Sequence, residues 1–264
     1  MLQKLNIDYI RENLRTHSLG QSLYYFEKLG STSDKLSELA KGGAAEGTAI
    51  LAETQTSGRG RSGNAWYSPP GLGIYLSVLF RPELPSIKLS GITLAWGLSC
   101  ARAIGQCLPA QVMVKWPNDL YLNGRKIGGL LAEHLAEGGP GQFLILGIGI
   151  NVNNELIPLE LCDTASSIYL ETGRGIYRED LIVKLLENLE SDYRKFCASG
   201  LDELRAELEP RFYLTKRWVS VEVSKDEVIR GVATGFDRQG ALLVLDGQGQ
   251  TVRCQSGTVT EIEP

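Results

Sequence analysis

Apolar residues recur at helical spacing in some parts of the chain and form short runs in others, so helices and strands are both predicted. The helical patterns favour a short helix within residues 3–16, one after Ser31 that stops at Gly42-Gly43, a long one over 84–109, one over 179–198 and a short one over 201–208. The apolar runs favour strands over residues 23–29, 48–53, 74–80 and 143–150. The first part of the chain is therefore predicted to be α+β.

The stretch from Val112 to Glu133 predicts a β-hairpin that places a lysine beside a carboxylate. Residues 112–115 and 119–122 are strand-like, and Asn123-Gly124 is a strong signal for a two-residue turn. If that turn closes, Tyr121 faces Lys126 and Leu122 faces Arg125, so Lys126 comes close to Asp119. Gly128 and Gly129 interrupt the return strand, as glycines do where a ligand or another backbone approaches closely. Lys126 at the surface of a hairpin end is the plainer alternative.

Strands alone are predicted from Trp218 onward, with turns at residues 237–240 and 246–249. About 45 residues of short strands suggest a small β-barrel. We therefore predict two domains, residues 1–214 and 215–264.

Composition and charge exclude several classes of protein. The 264 residues carry 27 Lys and Arg against 31 Asp and Glu, so no global basic field favours nucleic acid or an anionic membrane. The amino terminus has charges throughout and no unbroken apolar run, so we expect neither a signal peptide nor a membrane span, but a cytoplasmic protein. Five widely spaced cysteines and two distant histidines show no metal-ligand or disulfide pattern.

A glycine-rich loop, QTSGRGRSGN, carries Arg59 and Arg61. Residues i and i+2 of an extended segment point to the same side, so both guanidinium groups could converge on one anion. An isolated loop of this kind is more often a solvated basic surface, but Trp66 follows at a distance that could cover a base or a ring. Two further segments are equally open: Ser31-Thr32-Ser33 could be a helix cap or a ligand contact, and Asn151 to Asn154 could be a turn or a ligand contact.

Four segments in order resemble the biotin protein ligases. They are Ser31-Thr32-Ser33, GRGRSGNAW from Gly58 to Trp66, KWPNDLYLNGRKIGGLLAE from Lys115 to Glu133, and GIGINVN from Gly147 to Asn153. Ser33 departs from the family pattern, in which asparagine is commoner. The resemblance implies a class II synthetase-like catalytic domain, with a central mixed sheet flanked by helices, and a small C-terminal SH3-like β-barrel. It also implies that biotin is activated with ATP and Mg²⁺ and then joined to a lysine of a carrier, the biotin carboxyl carrier protein of acetyl-CoA carboxylase.

The resemblance also implies residue roles. Lys126, Asp119 and Arg61 are the expected catalytic residues, with Lys126 bridging the biotin carboxylate and the phosphate and Asp119 accepting or orienting the carrier ammonium. The expected biotin contacts are Ser31, Thr32, Ser33, Gln55, Arg59, Gly60, Arg61, Lys126 and Gly128. The expected nucleotide contacts are Arg59, Arg61, Trp66, Lys115, Asn118 and Asn151. No carboxylate cluster has ligand spacing, so we expect no metal cage of protein residues.

Three alternatives to a biotin protein ligase remain. One is a catalytically dead biotin-binding protein, and the presence of Lys126, Asp119 and both arginines argues against it. A lipoate ligase or octanoyl transferase would be similar in fold, but such relatives tend to show an Arg-Arg-x-x-Gly-Gly-Gly loop where this chain has Gly58-Arg59-Gly60-Arg61. A biotin-sensing repressor would need a winged helix, and only about 23 residues precede the first family-like strand, so we expect no nucleic-acid partner. A homodimer formed through the exposed edge of the central sheet is a further expectation.

Overall fold

A computed structural model describes residues 4–135 and 143–263. The acidic, glycine-rich turn predicted at residues 137–141 lies outside the described residues. The helices are α1 Ile7–Asn13, α2 Thr32–Lys41, α3 Ile92–Cys107, α4 Ile168–Thr172, α5 Arg178–Ser199 and α6 Arg205–Leu208. The strands are β1 Leu23–Phe26, β2 Ala49–Ala52, β3 Gly73–Phe80, β4 Met113–Lys115, β5 Asp119–Leu122, β6 Arg125–Leu135, β7 Phe143–Asn151, β8 Trp218–Ser224, β9 Glu227–Phe236, β10 Leu242–Asp246, β11 Thr251–Cys254 and β12 Thr258–Glu261.

Seven strands form one mixed sheet in the order β1-β2-β3-β7-β6-β5-β4. Only the β1–β2 pair is parallel, and the other neighbours run antiparallel. β3 is buried along its whole length, which explains its continuous apolar run. Because the sheet is mixed and helices cover it, the predicted fold class is confirmed.

Helices pack on both sides of this sheet. On one side α2 contributes Leu36 to a small cluster with Ile50 and Leu79. On the other side α3 and α5 pack against each other, and Trp96 of α3 lies against the ring of Phe80, with centroids 4.8 Å apart. Helices therefore cover parts of both faces of the sheet.

The prediction of one long helix over residues 84–109 is wrong for the first third of that range. A short 3₁₀ turn covers Ser86–Leu89, and α3 begins only at Ile92. Gly91 lies between them with a φ of 82°, in the left-handed region that interrupts a helix. Ile87, which the helical pattern places on the apolar stripe of that predicted helix, is 70% exposed.

Five antiparallel strands, β8 to β12, form a second sheet in the order β11-β10-β9-β8-β12. The two predicted turns are confirmed, and both have the same hydrogen-bonding pattern. Asp237 accepts the backbone N–H groups of Gln239 and Ala241, and Asp246 those of Gln248 and Gln250. A five-stranded antiparallel sheet stands where a small β-barrel was predicted. The domain boundary at 214/215 remains a prediction.

Candidate functional site

One cavity of about 610 Å³ lies where loop 58–66, the β5–β6 hairpin and the end of β7 meet. Twelve of the fourteen residues predicted for the site line it: Thr32, Ser33, Gln55, Arg59, Gly60, Arg61, Trp66, Lys115, Asn118, Asp119, Lys126 and Asn151. Ser31 and Gly128 are outside the lining. A cavity of this size is in the range that holds small-molecule ligands.

The β5–β6 hairpin closes as predicted and places Lys126 beside Asp119. Asn123 and Gly124 have φ values of 50° and 82°, as a tight two-residue turn requires. Tyr121 faces Lys126 across the hairpin, and Lys126 Nζ lies 2.7 Å from Asp119 Oδ1. Both side chains are about one-quarter exposed and point into the cavity, at 30% and 23%. The pair presents a cation whose position is set by a carboxylate.

A β-bulge in this hairpin decides which glycine faces the cavity. The pairing register shifts between Leu120 and Tyr121, which leaves Ile127 as an extra residue on β6. Simple alternation from Lys126 would point Gly128 into the cavity, but the extra residue turns Gly129 to that side instead. A Cβ at Gly128 would lie 2.9 Å from the carbonyl oxygen of Gly149, so Gly128 permits close strand packing.

Three glycines, Gly129, Gly147 and Gly149, form the glycine floor of the cavity. They lie on one face of neighbouring strands, because Gly129 pairs with Gly149 and β7 alternates. A Cβ at Gly149 would lie 2.4 Å from Cε2 of Trp66, and one at Gly147 would lie 2.9 Å from Oγ of Ser33. Bare backbone is therefore needed on this face. The predicted ligand contacts include none of the three. A close approach was predicted at Gly129, and the Gly-x-Gly spacing in GIGIN signals one face of a strand.

Trp66 covers the glycine floor. Its indole lies against Gly149, and Lys126 Nζ is 5.8 Å from the centroid of its ring. The indole Nε1 is buried and has no hydrogen-bond partner in the part of the chain that the structure describes. A buried N–H without an acceptor is costly, so this edge of the indole favours a ligand that brings an acceptor.

A chain of hydroxyl groups orients Gln55. Its Oε1 accepts from the backbone N–H of Thr32 at 2.8 Å and from Thr32 Oγ1 at 3.0 Å. Thr32 Oγ1 accepts from Ser77 Oγ at 2.8 Å, and Ser33 Oγ lies 3.0 Å from Ser77 Oγ. Ser77 was missed by the predictions, yet it is the one polar residue in the buried run of β3 and was detectable on that ground.

Ser31 serves the plainer of its two predicted roles. Its side chain accepts the backbone N–H of Asp34 at 3.3 Å and caps α2. The cap turns the following two residues, Thr32 and Ser33, toward the cavity, so the segment acts as a helix start and a cavity wall at once.

Arg59 and Arg61 do not converge in the described arrangement. Arg59 makes two hydrogen bonds with Asp34, at 2.7 and 2.6 Å, and also lies 3.6 Å from Glu133. Arg61 Nη1 donates to the carbonyl oxygen of Gly257 in the second sheet, at 3.2 Å. Burial lowers the pKa of the Arg61 guanidinium, an effect that Asp119 opposes. The i/i+2 argument fails because a 3₁₀ turn begins at Arg61 and breaks the extended run.

The opposite wall carries Lys115 and Asn118. Lys115 Nζ lies 3.1 Å from Glu261 Oε1 of β12 and 3.2 Å from the hydroxyl of Tyr121. Burial by itself lowers the pKa of Lys115, but Tyr121 and Glu261 outweigh it and raise that pKa above its usual value. The amide of Asn118 donates to the carbonyl oxygen of Leu130, so it aligns the segment before β5 with β6. Lys115 is a fixed cation, and Asn118 organises the backbone.

Residues outside the four family-like segments complete the lining. The loop after β7 contributes Ile157, Leu161, Thr164 and Ala165, and Asn151 anchors it by donating to the carbonyl oxygen of Ser166 at 2.9 Å. Thr258 and Val259 reach the cavity from the second sheet. Only the fold brings these positions to the site, and no local sequence signal distinguishes them.

Within residues 4–135 and 143–263, no three His, Cys, Asp or Glu side chains lie together as a metal-ligating group. In the same ranges, no helix is both long and apolar enough to cross a membrane.

The mixed sheet and its glycine-floored cavity define a small-molecule-binding domain that presents fixed cations to an anionic ligand. The Biotin/lipoate A/B protein ligase family model matches residues 25–151. A Bacillus subtilis protein, "Bifunctional ligase/repressor BirA", is 34% identical over 93% of this chain and 76% of its own length. A Mycobacterium tuberculosis protein, "Biotin--[acetyl-CoA-carboxylase] ligase", is 33% identical over 88% of this chain and 86% of its own length.

The solved structures agree with these relatives. The structure of the Aquifex aeolicus biotin protein ligase in complex with biotin and ATP has a TM-score of 0.81 and 30% identity, and covers 92% of this chain and all of that one. The chain belongs to the biotin protein ligase family.

Proposed function

We propose that this protein is an ATP-dependent biotin–protein ligase, which forms biotinyl-5'-AMP and transfers the biotinyl group to a lysine of a biotin carboxyl carrier protein. The observation that carries the proposal is the Lys126–Asp119 pair above a glycine floor, in a chain whose relatives include named biotin ligases. The floor offers a flat surface for an elongated ligand, and Lys126 offers a cation for its carboxylate.

In the first step a carboxylate oxygen of biotin attacks the α-phosphorus of ATP. A P–O bond forms, the bond to the bridging oxygen of the β-phosphate breaks, and pyrophosphate leaves. Negative charge accumulates on the α-phosphate, so fixed cations stabilise the transition state. Lys126 is the candidate for bridging the carboxylate and that phosphate, and Lys115 and Arg61 are further candidate cations, since all three line the cavity.

In the second step the uncharged amine of the carrier lysine attacks the acyl carbon, an amide bond forms and AMP leaves. The carrier ammonium must first lose a proton. Asp119 is the candidate for accepting that proton or orienting the ammonium, since its carboxylate already faces the cavity beside Lys126.

Mg²⁺ belongs to this proposal as the ion that accompanies the phosphates of ATP. The described residues do not form a cage for it, so we assign no step to it. It would offset phosphate charge when bound with the nucleotide.

The carrier, a homodimer and a cytoplasmic location are parts of the proposal that come from the sequence. β1 is an outer strand of the large sheet, and β4 at the other side is covered by a backbone contact with Phe212. β1 is thus the edge that we propose for strand pairing with a carrier or a second copy. Sedimentation velocity with and without carrier tests both. Specific binding to the protein's own promoter region at physiological salt would contradict the expected absence of a nucleic-acid partner.

The deciding experiment is ATP–pyrophosphate exchange with biotin, lipoate and octanoate. We expect exchange that depends on biotin and collapses in Lys126→Ala and Arg61→Ala. Lys88→Ala, which changes an exposed lysine in the turn before α3, is the control. Exchange with lipoate or octanoate instead would move the protein to the neighbouring activity, and no exchange with any acid would leave a binding protein.

A further inference from the structure

Arg59 belongs to loop 58–66 but does not direct its charge into the cavity as a free cation. Two carboxylates engage its guanidinium, one from the first turn of α2 and one from β6. Asp34 meets it with two nearly parallel hydrogen bonds, the bidentate geometry in which an arginine–carboxylate pair is strongest. Hydrogen bonding to Arg59 lowers the pKa of Asp34, so this carboxylate is ionised at neutral pH.

The carboxylates belong to the same elements that build the cavity. Asp34 follows Thr32 and Ser33, which line the cavity, and Glu133 lies four residues after the floor residue Gly129. Arg59 therefore fastens the loop to the two elements that the ligand must also touch. On its other side the loop is attached through Arg61 to the carbonyl oxygen of Gly257.

The loop between these attachments is a small closed unit. Gly60 N–H donates to the carbonyl oxygen of Asn64 at 2.7 Å, and Trp66 N–H to that of Gly58 at 2.9 Å. These bonds tie the loop to itself, and Trp66 at its end carries the indole that lies on the glycine floor. Arg59 and Arg61 attach this unit to other elements.

We propose that Asp34 and Glu133 are positioning residues that hold loop 58–66 closed through Arg59, and so set how long the protein retains its activated acyl-adenylate. This inference rests on the proposed function for the identity of the intermediate. A reactive mixed anhydride must stay inside until the carrier arrives, so a loop held by an ion pair retards its loss to water. Asp34 and Arg59 are about half exposed, so the expected effect is several-fold.

The first test measures how readily the loop opens in the absence of any ligand. Trypsin cleaves after Arg59 and Arg61 only when the loop opens, and the fragments identify the cut. We expect cleavage in Asp34→Asn to be about 3- to 10-fold faster than in the unaltered protein, and Asp34→Glu to restore the slow rate.

The second test measures how fast the protein releases the adenylate. Release of preformed biotinyl-5'-AMP should be about 3- to 10-fold faster in Asp34→Asn and in Glu133→Gln, with the thermal midpoint unchanged. Glu27→Gln, which removes the exposed Lys4–Glu27 pair, is the matched control and should leave both rates unaltered.

Two results would overturn the inference. Equal cleavage and release rates in Asp34→Asn and the unaltered protein would show that the pair does not hold the loop. Loss of biotin affinity in Arg59→Gln without any effect of Asp34→Asn would show that Arg59 binds the ligand directly. Failure of the proposed function is distinguishable, since it is the absence of biotin-dependent exchange in the unaltered protein and leaves the trypsin result intact.

Discussion

Lys126 and Asp119 meet because a two-residue turn and a single extra residue set their strand register. The turn residues Asn123 and Gly124 were recognisable from the sequence, and so was the lysine–carboxylate pairing that follows from them. The extra residue, Ile127, was not. A bulge has no clear local signature, so nothing in the sequence showed that Gly129 faces the cavity in place of Gly128, the contact that the resemblance implied. Ser77 was readable as a polar residue in an apolar strand but was not singled out.

Replacing Asp119 tests whether it serves adenylation alone or also the transfer to the carrier lysine. We expect Asp119→Asn to slow pyrophosphate exchange about 10- to 100-fold, because the cation at Lys126 loses the carboxylate that positions it. If Asp119 also prepares the carrier lysine, single-turnover transfer from preformed adenylate will slow as well. Asp202→Asn, at an exposed pair with Arg238, is the control. An unchanged exchange rate would remove Asp119 from the adenylation step.

Adding a methyl group to a glycine of the cavity floor should impair ligand binding more than stability. A methyl group at Gly149 would meet the indole of Trp66, a side chain that can move, whereas one at Gly128 would meet a backbone carbonyl that cannot. Gly149→Ala should therefore weaken biotin binding about 10-fold or more at nearly unchanged stability, and Gly128→Ala should lower the free energy of unfolding by about 1–3 kcal/mol. Calorimetric titration and urea unfolding separate the two. Gly30→Ala, where a Cβ meets nothing within 4 Å, should change neither.

Among the elements, α5 organises the amino-terminal segment through one carboxylate. Glu190 accepts the backbone N–H groups of His17, Ser18 and Leu19, at 2.7 to 3.1 Å. Burial by itself raises the pKa of Glu190, but these N–H groups outweigh it and lower that pKa to about 2. The helix itself was predictable from its apolar stripe, whereas this capture of a distant loop was not, because it joins residues more than 170 positions apart.

The sign of the pH effect follows from that lowered pKa. Glu190 binds its proton more weakly in the folded protein than in the unfolded chain, where its pKa is near 4.5. Its stabilisation is thus fully present above about pH 4.5 and is lost as the pH falls toward 2. We expect Glu190→Gln to lower the free energy of unfolding by about 1–3 kcal/mol at pH 7, and the difference from the unaltered protein to shrink between pH 4.5 and 3. Urea unfolding at three pH values measures it, with the exposed Glu12→Gln as control. A difference that stays constant with pH would contradict this account.

At the scale of the whole molecule, the site is assembled from both sheets. Thr258 and Val259 line the cavity, Lys115 meets Glu261, and the indole Nε1 of Trp116 donates to the carbonyl oxygen of Gly240 at 3.0 Å. The sequence allowed both sheets to be predicted separately. Their contact was not predictable, because alternation and turn signals report only local structure.

Gly240 and Gly249 have the same φ angle, so comparing them isolates the contact between a turn of the second sheet and the residue before α3. Gly240 and Gly249 end equivalent turns, each with a φ of 78°. A Cβ at Gly240 would lie 2.4 Å from Cα of Gly91, whereas one at Gly249 meets nothing within 4 Å. Gly249→Ala should therefore cost only the left-handed conformation, about 1 kcal/mol, and Gly240→Ala should cost about 1–3 kcal/mol more. Urea unfolding compares them, and equal losses would mean that the close approach at Gly91 relaxes freely.

Glu53 gathers parts of the chain that are far apart in sequence. Its carboxylate accepts from the backbone N–H groups of Leu5 and Gly71 and forms an almost fully buried ion pair with Arg178, at 2.9 Å. A collapsed chain that lacked any one of these partners would enclose a carboxylate without its full set of donors, and an uncompensated buried charge is strongly unfavourable. Compact states in which α5 or the amino-terminal segment is still unplaced are therefore penalised, so the large sheet and its outer segments should assemble as one cooperative unit.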